Sequence, residues 1–153
     1  MKILNSRDVK KIMNVVKDKY GISGIKLDYV FLQDENKLFI TSRDFQRVED
    51  LKTNNVGLFF GKVVDGGIIL SIEASQIIGN LALNTANIDK EEIKYWIAGY
   101  DLNTDRRNGF VFIKHNNDFF GVGKVKDNRI FNLIPRERRI YSLSSGSRQD
   151  NQV

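Results

Sequence analysis

The chain has 153 residues, no cysteine, one histidine, ten phenylalanines and a formal net charge of +5. That length buries one substantial core or two small units sharing an interface, and an apolar fraction of 41% argues for a folded protein. The lack of cysteine excludes disulfides, thiolate metal sites and a cysteine nucleophile. No run approaches the ~18 apolar residues of a membrane span and the N-terminus has no signal-peptide core, so a soluble, cytoplasmic protein is expected.

From the N-terminus, Val9, Ile12, Met13 and Val16 recur at helical spacing, which predicts an amphipathic helix over Ser6–Tyr20, started by Asn5 or Ser6 and stopped by Gly21. Leu27–Leu32 and Lys37–Thr41 read as strands around a polar turn. Ser42 then caps a short helix through Phe45, Val48 and Leu51. A further hairpin is expected from Val56–Val64 and Ile68–Leu70, around Asp65-Gly66-Gly67. Ser71 opens a helix ending at Gly79, and Asp89-x-x-Glu92 forms a capping box for another that runs through Trp96 to Gly99. From Gly109 onward the pattern is strands: Phe110–Lys114, Phe119–Val125 and Arg129–Ile134, reversing at Asn116-Asn117 and Asp127-Asn128. Residues 142–153 are polar, lack an apolar period and are expected to be disordered.

The charge is unevenly placed. Residues 1–100 carry 14 Lys/Arg against 13 Asp/Glu, whereas residues 101–140 carry 9 against 5. The stretch Phe119–Ile140 combines Gly121 and Gly123 with Lys124, Lys126, Arg129, Arg136, Arg138 and Arg139. Glycines in a strand let another backbone approach, and surrounding cations attract a phosphate chain. An ordinary solvated hairpin with a charged exit fits the same residues. Concentrated positive charge makes nucleic acid the leading partner class.

The parts of an enzyme are sparse. His115 is the only histidine and sits at a turn, so His-based triads and common metal clusters lack members. The pairs Asp34/Glu35, Glu49/Asp50 and Glu91/Glu92 are better explained by capping or solvation than by acid–base work. Gly121-Val122-Gly123-Lys124 superficially resembles a phosphate loop but leads to no helix. No catalytic residue, cofactor or metal is expected.

The helices Ser71–Asn80 and Glu91–Leu102, followed by strands ending GVGKVKDNRIFNLIPRERRI (Gly121–Ile140), resemble a PUA-type RNA-binding domain. The likeness is to the C-terminal domain of Sun/RsmF-like RNA cytosine methyltransferases and to stand-alone archaeal relatives. Its motif falls on Gly121, Gly123, Lys124, Asn132, Pro135 and Arg136. The first half is similar to the pre-PUA unit of small ribosome-biogenesis proteins. The resemblance implies an α+β protein: a pre-PUA-like α+β subdomain (1–70), a PUA-like mixed β-barrel (71–141) and the tail (142–153). It also implies non-catalytic binding of structured rRNA or tRNA, in RNA modification or ribosome biogenesis, with neither membrane nor DNA as partner. The RNA-binding residues would be Arg106, Arg107, Lys114, Lys124, Lys126, Arg129, Asn132, Arg136, Arg138 and Arg139, converging into one cradle. For Asn132, satisfying a turn or strand competes with reading a base. Tyr100 and Tyr141 are the candidate stacking aromatics. The alternative is an interaction scaffold that binds a ribosome-assembly protein or a methyltransferase, or a trans-acting accessory subunit of an RNA methyltransferase.

Overall fold

Asn5 offers its side-chain oxygen to a free amide in the first turn of a helix, and the chain responds as the spacing predicts. In the computed structural model, which describes residues 1–24, 26–43 and 57–141, helix α1 spans Ser6–Tyr20. Asn5 Oδ1 accepts from the Asp8 amide at 2.9 Å, and Gly21 closes the helix at φ 69°. The helix expected from Ser42 through Phe45, Val48 and Leu51, the residue Val56 and the tail 142–153 lie outside the described residues.

Five antiparallel strands make the first sheet, in the order β1 to β5: Lys2–Ile3, Val30–Asp34, Lys37–Thr41, Leu58–Val64 and Gly67–Leu70. Strand β2 starts later than the apolar run Leu27–Leu32 implied, and β1 is too short to show any alternation in sequence. Ser71 then leads into α2 (Ile72–Ile78): its hydroxyl donates to the Phe59 carbonyl at 2.6 Å and accepts from the Ala74 amide at 3.0 Å. Gly79 does not take a left-handed stop. The chain tightens there into a 3-10 turn, Gly79–Leu81, and a Cβ on Gly79 would lie 2.5 Å from the Phe119 ring. Close packing against that ring is what requires the glycine.

The second sheet is mixed and curls into a half-barrel. Its strands are β6 (Thr85–Asn87), β7 (Leu102–Asn103), β8 (Gly109–His115), β9 (Asp118–Lys126) and β10 (Arg129–Asn132), in the order β6-β8-β9-β10-β7. Only β6 and β8 run parallel. Helix α3 (Lys90–Ile97) precedes β7 and carries the full capping box: the Glu92 amide donates to Asp89 Oδ1 at 2.8 Å, and the Asp89 amide to Glu92 Oε1 at 3.0 Å. The β9–β10 turn puts Asp127 and Asn128 at φ 52° and 62°, the two positive values that a two-residue hairpin turn needs. Helices with two sheets make the α+β class expected from the sequence.

Side chains alternate across β8 and β9, so the second sheet buries two different sets. Phe110, Phe112, Phe119 and Val122 join a core shared with the first sheet and α1, including Tyr20, Phe31 and Phe60. The Tyr20 ring lies 5.2 Å from Phe110 and 4.9 Å from Phe112, and its hydroxyl donates to the Ile68 carbonyl at 2.8 Å. Burial pushes that phenol well above its usual pKa. On the opposite face Val111, Ile113, Val125 and Ile130 pack around Trp96. No helix among the described residues is long and apolar enough to cross a membrane.

Candidate nucleic-acid interface

Strand β9 passes from core to solvent as it runs. After Val122 and Gly123, its residues read exposed, buried, exposed for Lys124, Val125 and Lys126. Lys124 faces Phe110 on β8 and Phe131 on β10, while Lys126 faces Arg129. One sheet face thus begins as the shared core and ends as a ladder of three cations. Two aromatic rings lie under it: Lys124 Nζ is 5.0 Å from the Phe110 centroid, and the Arg129 guanidinium carbon is 5.2 Å from that of Phe131. Cations placed over ring faces are held by the ring quadrupole while staying open to solvent.

The loop between β7 and β8 ends beside the same hairpin. The Thr104 amide donates to the Asn128 carbonyl at 3.0 Å, and Thr104 Oγ1 accepts from the Arg106 amide at 3.1 Å. Arg106 and Arg107 are exposed on that loop. Arg129 Nη2 pairs with Asp101 Oδ2 at 3.0 Å. The other four cations of this end, Arg106, Arg107, Lys124 and Lys126, form no ion pair among the described residues.

The remaining cationic candidates sit on other elements than this hairpin and loop. Lys114 is on the far part of β8, paired with Phe119 and 5.6 Å from its ring centroid. Arg136, Arg138 and Arg139 follow Pro135 in and after a 3-10 turn, Arg136–Arg138. Arg138 makes a two-pronged contact with Glu73 of α2, at 3.1 and 2.7 Å. That hydrogen-bonded guanidinium holds the Glu73 carboxyl below its ordinary pKa, against a smaller opposing effect of burial. Arg139 Nε donates to the Ile134 carbonyl at 3.1 Å, and its side chain packs where a Cβ on Gly99 would stand, 2.5 Å from Arg139 Cδ. Arg136 is exposed and forms no ion pair among the described residues.

Asn132 is committed to structure. Its amide nitrogen donates to the Trp96 and Tyr100 carbonyls at 2.7 and 3.0 Å, its oxygen accepts from the Ile134 amide at 2.9 Å, and its own backbone amide donates to Asp101. An asparagine so occupied ties β10 to the end of α3 and has neither side-chain donor left to read a base. The glycines of β9 also serve the interior. Both are buried. The Gly121 amide donates to Ser75 Oγ at 2.9 Å, and a Cβ on Gly123 would lie 2.8 Å from Trp96 Cη2 and 2.9 Å from the Phe131 carbonyl oxygen. The close approach that the glycines permit is that of α2 and Trp96, because β9 is a central strand covered on both faces.

Among the aromatics, Trp96 is fully buried, with its indole N–H donated to the Phe120 carbonyl at 2.7 Å. Tyr100 and Tyr141 are exposed. Tyr95, which the sequence groups with aromatics better read as core than as stacking platforms, is exposed too and meets Tyr100 edge to face at 5.8 Å. His115 is half-buried and donates its Nδ1 hydrogen to the Ile88 carbonyl at 2.9 Å. No group of three or more metal-ligating side chains converges among the described residues.

Residues 83–140 match the family model described as the Methyltransferase RsmF PUA domain. That match covers β6, α3, β7 to β10 and the basic turn, so this part of the chain is a PUA-type domain resembling the C-terminal domain of RsmF/Sun-like methyltransferases. A PUA domain indicates RNA binding in a context related to RNA modification. No curated protein matches the chain.

Proposed function

We propose that this protein binds structured RNA, ribosomal or transfer, without catalysing a reaction on it, and that it serves RNA modification or ribosome biogenesis in the cytoplasm. The supporting observation is the exposed ladder of Lys124, Lys126 and Arg129 beside Arg106 and Arg107, carried by a segment that matches a PUA domain. Asp101 already answers the charge of Arg129, so a phosphate chain laid along this ladder gains most from Lys124 and Lys126. In this reading residues 1–70 are a pre-PUA-like unit and residues 71–141 the RNA-binding unit. Arg136 and Arg139 extend the surface past Tyr100, and Lys114 lies outside the main contact. A methyltransferase or a ribosome-assembly protein is the partner that such a non-catalytic subunit would serve.

The test is RNA affinity measured against salt for the full chain and for a variant with Arg106, Arg107, Lys124 and Lys126 replaced by alanine. All four are exposed, so folding is expected to be unchanged. Each lost phosphate contact lowers the slope of log affinity against log salt by about 0.7 to 0.9, so the slope should fall by about 3. An unchanged slope refutes the assigned surface. The substitution of Arg136, Arg138 and Arg139 together is a poorer test, because it also breaks the Glu73 contact.

A further inference from the structure

The first sheet holds a second arrangement of cations and rings. Leu38 and Ile40 point into the shared core; Lys37 and Phe39, which alternate with them, point the other way. On that outer face Lys37 of β3 stands directly opposite Lys62 of β4, and the next row sets Phe39 opposite Phe59. The two rings are half-buried, 5.6 Å apart and inclined at 56°. Both lysines are exposed, and neither forms an ion pair among the described residues. Asp34 faces Lys37 from β2 in the ladder without pairing to it. Facing like charges destabilise a sheet, so this row is relieved by an anion placed between them.

These four side chains wall a groove of about 550 Å3, whose other wall comes from Leu133, Pro135 and Glu137. That wall leads directly into the basic turn Arg136–Arg138. An apolar peptide would leave the two lysines unanswered. A nucleotide satisfies both parts, since any base presents a flat π-face to an aromatic ring and its phosphate answers the cations. Glu137 accepts but cannot donate, so it suits an N–H edge of a base and keeps the phosphate on the lysine side.

We propose that this groove holds one unpaired nucleotide of the bound RNA, its base against Phe39 and Phe59 and its phosphate between Lys37 and Lys62. The inference rests on the RNA-binding reading above and extends it from the PUA-type segment onto the first sheet.

Two fluorescent RNAs test it on the full chain: a blunt hairpin, and the same hairpin with a short unpaired 3′ tail carrying 5-iodouracil. The tailed RNA is expected to bind about tenfold more tightly, the effect of one base stacked on an aromatic side chain, and to photo-crosslink to peptides containing Phe39 or Phe59. The double substitution Phe39→Leu with Phe59→Leu removes this preference while leaving blunt-hairpin affinity unchanged. Lys37→Gln with Lys62→Gln does the same without touching any packed side chain. Equal binding of the two RNAs by the unaltered protein overturns this inference alone, as does a tail preference that survives both double substitutions. Failure to bind either RNA overturns the RNA-binding reading and this inference with it.

Discussion

Replacing Gly123 by alanine separates two reasons for a glycine in β9. If the residue leaves room for an RNA backbone, the added methyl weakens RNA binding and spares the fold. The geometry says otherwise. The new Cβ would stand 2.5 Å from Ile130 Cγ2, 2.8 Å from Trp96 Cη2 and 2.9 Å from the Phe131 carbonyl oxygen. Ile130 is buried in the same cluster, Trp96 is pinned by its bond to the Phe120 carbonyl, and Phe131 is backbone in the neighbouring strand. None of the three yields easily, so overpacking of about 1–3 kcal/mol is expected. At about 2–4 °C per kcal/mol for a chain of this size, the melting temperature should fall by about 2–12 °C. A glycine-to-alanine change without strain instead stabilises by about 0.4–1 kcal/mol, so even the sign is informative. Thermal melts followed by circular dichroism, with RNA affinity measured well below the transition, decide the matter. An unchanged melt with reduced RNA affinity would refute the packing argument.

Asn132→Ala removes three side-chain hydrogen bonds that join β10 to the end of α3 and to Ile134, which should destabilise by about 2–3 kcal/mol. Urea titration measures this, and a stable variant with altered base preference would restore the base-reading role. The Glu73–Arg138 contact makes stability fall with acid. A carboxyl whose folded pKa is depressed contributes fully above its unfolded value, ordinarily 4.5, and loses that contribution as pH drops through the folded value. Both partners are partly exposed, so the contribution is no more than about 1 kcal/mol after screening. Melting profiles of the parent and of Glu73→Gln should therefore differ most above the unfolded value and draw together as the pH falls below it, whereas a difference that stays constant with pH contradicts the assignment.

What the sequence revealed was local. Helix α1, its Asn5 cap and the Asp89–Glu92 capping box are written within a few residues of one another, and periodicity and cap chemistry suffice to read them. Strands β6 and β7 are not written locally. Thr85–Asn87 exists as a strand because β8 lies alongside it, and Leu102–Asn103 because β10 does. The cations were visible one by one, but their grouping was not. Arg138 finds Glu73 across 65 residues, and Arg129 finds Asp101 through the β7–β10 ladder. Neither partner leaves a mark near the arginine. The glycines of β9 announced a close approach without naming what approaches. The facing lysines of the first sheet were hidden for a similar reason: a register shift between Leu38 and Phe39 sets which β4 residue meets Lys37.

The paired and unpaired cations have different work to do. Arg129 and Arg138 already hold carboxylates, so a phosphate must share or displace an existing partner, and their net gain on binding is small. Among the described residues Lys124 and Lys126 hold no acid, and Lys124 is steadied over Phe110 at little cost in side-chain freedom. The sequence-independent part of the affinity should therefore come from the lysines and from Arg106 and Arg107, while the paired arginines fix the shape of the surface. Phe110 links this surface to the rest of the molecule. Its ring lies beneath Lys124 and also packs on Tyr20 of α1, whose hydroxyl is bonded to the first sheet through Ile68. The cationic face of the PUA-type segment is thus supported from below by residues outside the segment that matches the PUA family, and the geometry of its lysines depends on a core to which both sheets contribute.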